Sequence, residues 1–498
     1  MPYVPPLTDV VLIDVTASYG PAVPSSRSTT AERLRTAQSE AGIAHTLAYN
    51  SSAVTVQRRL GNERTFDEVP GPGMSPVVVA TEFDLPSLAG ELARAVSLGA
   101  VAVRVEPQAW TDTSDVRALF AAAAATGLPI LAPCRGAGDS TVIGRLSQEF
   151  EAETVLVQAR YPQFPEVMES LRRYPRLHIE TSSLGGYHAI DTVAGIAGYE
   201  RMLFGTGTPV HATASPLATL AASALPERQK RAILGGNAIR LFGLSVDGSH
   251  ELAVSGPERI FDVHGHFFPA PLEVVDTVGS FLDDLRGFPI ETAVSSSIPA
   301  VMGDLEFGNS EAVRIARETP GQLAYLVAHP SDPDLAVEHL RRWGDDPAVA
   351  GVKVHIEWAA TTTAGPRVAE LFERLDAFRR PVLVHNVGAG WQDALIRIAR
   401  SVPQTPIIVA HGGYHRPDPD TAAVVNSTEN VHVEFASSKA DIRDARDLAR
   451  LVPAERILFG SDAPLIDPYF VLGMYESLGL VDPDAAYHGN AARLFGRG

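Results

Sequence analysis

The chain is one unit written twice, and this constrains its fold more than any other feature. Residues 455–464 read ERILFGSDAP and residues 200–209 read ERMLFGTGTP, while HGNAARLFG at 488–496 answers GGNAIRLFG at 235–243. Upstream, in the same order, RIFDVHGH (259–266) pairs with VLIDVTAS (11–18) and VAGVKVHIE (349–357) with AVAVRVE (100–106). RPVLVH (380–385) then pairs with LPILAP (128–133), and VHVEFASS (431–438) with LHIETSS (177–183). Chance similarity does not keep order and spacing over so many segments, so the pattern reads as a tandem duplication. The offset is roughly 250 residues, the usual size of one (β/α)8 barrel.

Within each copy, short runs rich in Val, Ile and Leu alternate with helix-compatible stretches such as Ser87–Ser97 and Pro366–Phe378. That alternation implies parallel βαβ units. In the second copy, strands are expected near 259–264, 291–296, 323–328, 350–355, 381–385, 406–410, 430–435 and 456–460. Eight strands close a barrel. The expected architecture is therefore α/β, with two tandem (β/α)8 barrels over residues 1–245 and 256–498. The Ser-, Gly- and Pro-bearing stretch from Gly243 to Pro257 reads as the linker.

A formal charge of −18 over 498 residues argues against nucleic-acid and anionic-membrane partners, which need clustered cations. No apolar stretch is long enough to span a bilayer. A small-molecule substrate is expected. The N-terminal MPYVPPLTDVVLID lacks a signal-peptide pattern, so the cytoplasm is the expected location. Cys134 is the only cysteine, which excludes an intramolecular disulfide and a thiolate zinc site. Any metal must use His and carboxylate ligands.

Two imidazoles two residues apart on a strand share a face, so Asp262, His264 and His266 are expected to point the same way. HxH by itself reads equally well as two histidines capping a buried strand. The later strands add to it: PVLVH ends in His385, PIIVAH in His411 and ILFGSD in Asp462. These are carboxyl ends of predicted strands, where (β/α)8 barrels place their active sites. Trp358, Trp391, Tyr414, His415 and Arg416 follow on loops of the same rim, with Asp467 nearby. They read either as packing or as a substrate pocket, with Arg416 as a carboxylate clamp.

The segments DVHGHFFP (262–269), GVKVH (351–355), VLVH (382–385), IVAHGG (408–413), ILFGSDAP (457–464) and NAARLFG (490–496) resemble the amidohydrolase superfamily. The likeness is to its amidohydrolase-related branch (amidohydrolase 2), which includes aminocarboxymuconate-semialdehyde-type decarboxylases. The resemblance implies one divalent metal on His264, His266, His385 and Asp462, with Asp462 also orienting water and His411 polarising the substrate or handling a proton. Such a donor set suits Zn2+ first, with Mn2+, Co2+ or Fe2+ as alternatives. Two-metal members of the superfamily carry a carbamylated lysine on the fourth strand. Lys353 is read instead as a buried ion-pair partner or a contact for a substrate carboxylate.

The first copy has Thr16 and Ser18 in place of the HxH pair, Pro133 for His385, Ala159 for His411 and Gly207 for Asp462. It is expected to keep the barrel and lose the metal, a pseudo-enzyme half. Its Arg135, Arg160 or His211 reach the other copy's mouth on one reading; on another the half merely stabilises its partner. Pairing of the two barrels is expected within the chain, and further homo-oligomer formation stays open. Three functions compete: hydrolysis of a small amide, lactone or ester by metal-activated water; metal-dependent, non-oxidative decarboxylation of an unsaturated or aromatic carboxylic acid; and a non-catalytic binding or scaffold role. The complete ligand set of the second copy favours an enzyme, and hydrolysis is taken first.

Overall fold

The computed structural model describes residues 6–21, 27–159, 161–246, 248–253, 256–267 and 288–497, apart from the side chains of residues 84 and 161. Arg160, the Phe268–Pro269 end of DVHGHFFP, and linker positions 247, 254 and 255 lie outside the described residues. The chain divides into two compact units, Pro2–Val254 and Ser255–Gly498.

In the first unit eight parallel strands follow one another in chain order: Ile13–Pro21, His45–Asn50, Met74–Ala80, Ala102–Val105, Ile130–Pro133, Thr154–Val157, Leu177–Glu180 and Met202–Leu203. The sheet curls on itself. Val15 N–H donates to the Phe204 carbonyl at 3.1 Å and Ser18 N–H to that of Thr208 at 2.9 Å, so the first strand is bonded to the segment that follows the last. A separate antiparallel pair joins Leu7–Val10 to His250–Leu252.

The second unit repeats the plan with Ile260–Phe267, Ile290–Ser297, Gln322–Val327, Val349–His355, Val382–His385, Ile407–Val409 and Val431–Val433 in parallel. The expected eighth strand at 456–460 forms isolated bridges instead, Val433 to Ile457 and Gly265 to Ala463. Backbone bonds still run on both sides of it, from Leu458 N to Val433 O at 2.9 Å and from Val263 N to Phe459 O at 2.9 Å. The extended run stops because Asp462 takes a left-handed φ of 60°. The strands are buried on both faces, which is why they read as unbroken Val/Ile/Leu runs.

Shared packing devices explain the repeated letters. After the second strand of each unit a short helix meets a longer one at a glycine. A Cβ on Gly61 would lie 2.1 Å from Ala53 N, and one on Gly308 2.4 Å from Ala300 N. The next residue is an asparagine in both units. Asn62 bonds both the N–H and the carbonyl of Val79, at 2.9 and 2.8 Å, and Asn309 does the same to Val327 at 2.8 and 3.0 Å. At the other end of each unit the NAIRLFG and NAARLFG helices plug the sheet. Asn237 Nδ2 donates to the carbonyls of Tyr199 and Met202, and Asn490 Nδ2 to those of Ala454 and Ile457. Among the described residues no helix is long and apolar enough to cross a membrane.

Candidate active site

A slip in strand register positions the first site residues. Pairing of Ile260–Phe267 with its neighbour shifts between Asp262 and Gly265. Phe261 and Val263 therefore join the apolar core inside the sheet, while His264 and His266 still turn toward Asp462. Simple alternation, which puts Asp262 with the two histidines, does not survive this bulge. Asp262 instead accepts hydrogen bonds from His264 N, Ser461 N and Ser461 Oγ, tying the first strand to the ILFGSD segment.

His266 Nε2 lies 2.9 Å from Asp462 Oδ1 and His264 Nε2 lies 3.3 Å from the same oxygen. The other nitrogen of each ring is occupied, His264 Nδ1 with Glu434 Oε1 at 2.9 Å and His266 Nδ1 with Ser296 Oγ at 3.1 Å. All of these side chains are buried. Burial pushes the Asp462 carboxyl up, but the His266 hydrogen bond with nearby His411 and Lys353 outweighs it, and the group stays below its ordinary value.

Lys353 points into this group rather than away from it. Its Nζ donates to His264 Nε2 at 2.9 Å, and it is 1% exposed. Burial lowers its ammonium to about 8, against the pull of Asp462 and Glu434.

His411 sits just past its strand with a φ of 60°. Its Nδ1–H donates to the Ala436 carbonyl at 2.7 Å, so Nε2 carries a lone pair, and that lone pair faces His385 Nδ1 at 3.1 Å. His385 meets the His264–His266–Asp462 group through His411, whose ring centroid lies 4.8 Å from that of His385 and 5.1 Å from that of His264. It stacks on His355, ring centroids 4.2 Å apart, and turns Nε2 toward Glu357.

Among the described residues three groups of three offer donor atoms within 4.8 Å of one another: His264, His266 and Asp462; His264, His411 and Glu434; and Glu357, His385 and His415. All lie in the second unit.

Glu434 escaped the sequence reading. Fully buried, it accepts from His264 Nδ1, from His411 N at 2.6 Å and from Ala436 N at 2.6 Å, and burial pushes its carboxyl up to about 8. The available signal was VHVE, an acid ending an apolar strand. Of the rim residues, Trp358 and Tyr414 are exposed, and Tyr414 donates to Glu357 Oε1 at 3.4 Å. Arg416 is exposed, Trp391 is buried at the start of its helix, and Asp467 caps the helix Pro468–Glu476.

The amidohydrolase family profile matches residues 33–244 and again residues 261–497. The chain belongs to the amidohydrolase family. Members of the amidohydrolase family are metal-dependent hydrolases or decarboxylases. No curated protein matches the sequence. Solved structures similar to this family member include the 2,6-dihydroxybenzoate decarboxylase from Rhizobium, 17% identical over 48% of this chain and 99% of its own, TM-score 0.38. The 5-carboxyvanillate decarboxylase from Sphingomonas paucimobilis is 13% identical over 48% and 99%, TM-score 0.39. A dihydroxybenzoic acid decarboxylase from Polaromonas sp. JS666, with bound manganese and 2-nitroresorcinol, is 16% identical over 48% and 97%, TM-score 0.39.

The first amidohydrolase segment keeps the frame of this site without its imidazoles. Thr206 Oγ1 donates to Asp14 Oδ2 at 2.5 Å, as Ser461 Oγ does to Asp262 Oδ2 at 2.5 Å. Glu180 accepts from Gln158 N at 2.9 Å, as Glu434 does from His411 N, and Gln158 and His411 share left-handed φ values of 61° and 60°. The structural counterpart of His411 is thus Gln158, one residue before the Ala159 that the sequence match pairs with it. Gly207, opposite Asp462, has a φ of 64°, and a Cβ there would lie 2.6 Å from His211 Cδ2. Arg104 takes the place of Lys353 and binds Glu106 through Nε at 2.6 Å.

Proposed function

We propose that the chain comprises two (β/α)8 barrels, residues 1–245 and 256–498. The second is a metal-dependent hydrolase of a small amide, lactone or ester, and the first is a degenerate copy. The observation that carries this reading is the convergence of His264 Nε2, His266 Nε2 and Asp462 Oδ1 in one buried group. The donors fit a divalent ion. Glu434 behind His264 is the carboxylate–histidine arrangement that orients an imidazole ligand, and two imidazoles with a carboxylate leave coordination positions open. His264, His266 and Asp462 would hold the ion, zinc first, with His385 as the further imidazole ligand that the resemblance implies. Such an ion, when bound, acidifies water and polarises the group under attack.

The protein groups divide the remaining work. Asp462 accepts a proton from the attacking water and passes it to the leaving group. The Nε2 lone pair of His411 is a second proton acceptor, its ring fixed by Ala436 and by the backbone bond to Glu434. Burial of the whole group excludes bulk water and strengthens each of these contacts. Lys353 Nζ supplies positive charge to a substrate oxygen.

That same lysine favours a second reading, decarboxylation, because a buried ammonium is placed to pair with a substrate carboxylate. The deciding experiment gives the zinc- or manganese-loaded full chain amides, lactones, esters and unsaturated or aromatic acids, following hydrolysis and CO2 release. Hydrolysis lost in Asp462→Asn is expected. CO2 release without hydrolysis would replace the first reading with the second, and turnover of neither class would sink both.

A further inference from the structure

We propose that the first unit binds a free aromatic amino acid in a cavity between its helices Arg58–Glu68 and Leu85–Ser97. The site shares no residue with the catalytic group, and the inference holds whichever of the two reactions the second unit performs.

The second unit shows what fills the same place when the chain itself supplies it. Asn62 and Asn309 mark equivalent positions, since each bonds the N–H and the carbonyl of its third strand. In the second unit the helix Pro333–Trp343 covers Asn309 with two rings. His339 Nδ1 lies 2.9 Å from Asn309 Nδ2, and one turn later Trp343, 8% exposed, packs against His339 with ring centroids 5.0 Å apart. The matching helix of the first unit carries Glu91 and Ala95 at the same spacing. An indole is thereby exchanged for a methyl group. A cavity of about 350 Å³ remains, with Ala95 and the apolar Phe66, Val78 and Leu98 on its wall. Small-molecule pockets span roughly 300–1,000 Å³, so it has room for one such ring and its substituents.

An unspent hydrogen-bond donor faces the cavity. Asn62 lines it and is 8% exposed. One Nδ2 hydrogen goes to the Val79 carbonyl; the other, which in Asn309 meets His339, has no partner among the described residues. Glu91, in the place of His339, turns instead to Arg58 at 2.6 Å and to Ser87 Oγ at 2.7 Å.

Charge supplies the ligand's chemistry. In the second unit Glu306 accepts from Arg342 Nη1 at 2.7 Å and from His339 Nε2 at 3.0 Å, and the Arg342 guanidinium lies 4.3 Å from the centroid of the indole beneath it. Arg94 precedes Ala95 as Arg342 precedes Trp343, but Arg59, two residues before Gly61, stands where Glu306 precedes Gly308. The carboxylate of the arrangement is therefore missing, and two guanidinium groups line the cavity. Neither is in an ion pair among the described residues. A ligand carboxylate between Arg59 and Arg94 restores the anion, and an aromatic ring under Arg94 restores the stacking. Glu63 and Asp67, on the same helix face as Arg59, also line the cavity and are placed to pair with an ammonium. Ring, carboxylate and ammonium in one small molecule describe an aromatic amino acid.

The test is calorimetric titration of the zinc-loaded full chain with L-tryptophan, with indole-3-propionate, which lacks the ammonium, and with tryptamine, which lacks the carboxylate. One L-tryptophan per chain is expected, bound about tenfold more tightly than either analogue because each analogue forfeits a charge-assisted pair. Arg59→Glu restores the acid of the second unit and Ala95→Trp its indole, and each should abolish binding. Arg59 is exposed, so its variant carries the test even where the larger side chain at Ala95 disturbs folding. His264→Ala/His266→Ala should bind L-tryptophan as the wild type does. No heat from L-tryptophan, or binding undiminished in Arg59→Glu, would overturn the site, and loss of binding in His264→Ala/His266→Ala alone would assign the ligand to the catalytic group instead. Equal affinity for indole-3-propionate would overturn the amino-acid assignment.

Discussion

Glu434 Oε1 stands 2.9 Å from His264 Nδ1, and its counterpart Glu180 keeps its backbone bonds in a unit that has no imidazole there. The carboxylate thus has two separable duties: it ties down the turn after the preceding strand in both units, and it orients a ring in one. Glu434→Gln should weaken metal affinity about 10- to 100-fold, the usual effect of losing such a partner. Glu180→Gln should change only the stability of the first unit. Competition with a chelating dye separates them, and equal metal loss in both variants would refute the division.

The alternation of strands and helices was legible because both faces of a parallel strand are buried, so Val and Ile runs mark it directly. That His264, His266 and Asp462 come together was legible from an HxH pair within the first strand and an acid just past the last apolar run. Glu434 was not, since an acid shared by both copies drops out of any comparison that looks for what the first copy has lost. The direction of His385 was not legible either; which nitrogen of a ring faces which neighbour depends on Ala436 and His411, far away in sequence. The His411 counterpart was misplaced by one residue because the left-handed turn at Gln158 and His411 follows the strand rather than belonging to it.

Asn62 and Asn309 predict that the two units can be destabilised independently. Each side chain satisfies a buried N–H and carbonyl of the third strand. Alanine would strand both groups, a cost on the order of 3 kcal/mol. In calorimetry Asn309→Ala should lower the melting of the second unit by roughly 10 °C and Asn62→Ala that of the first. A common shift of the whole transition in either variant would show the units unfold as one.

Cys134 is 1% exposed, and burial, with Asp139 and Glu166 nearby, pushes its thiol up to about 12. The thiolate is the reactive form, so the native protein should resist a thiol reagent at pH 8 and react in full once unfolded by guanidinium. Prompt native labelling would mean that the strand end at Ile130–Pro133 opens readily. Because the chain has no other cysteine, the reaction rate is a clean clock for first-unit opening.

The acid sensitivity of the first unit should be set largely by Glu106. Burial pushes its carboxyl up, but the Arg104 and Arg135 guanidinium groups outweigh this and hold it below its ordinary value. The folded chain therefore keeps Glu106 ionised at a pH where the unfolded chain has begun to protonate it. Its stabilising contribution is fully present above the ordinary glutamate value of about 4.3 and is lost as pH falls through the lower folded value. Glu106→Gln leaves Arg104, 2% exposed, without this anionic partner at every pH, a cost of about 3–5 kcal/mol near neutrality. The melting difference between wild type and Glu106→Gln should then be widest near pH 7 and shrink below about pH 4, where the wild-type carboxyl also gains its proton. A difference that stays constant from pH 7 to 3 would mean that the ion pair contributes nothing and that the glutamate acts only through its shape.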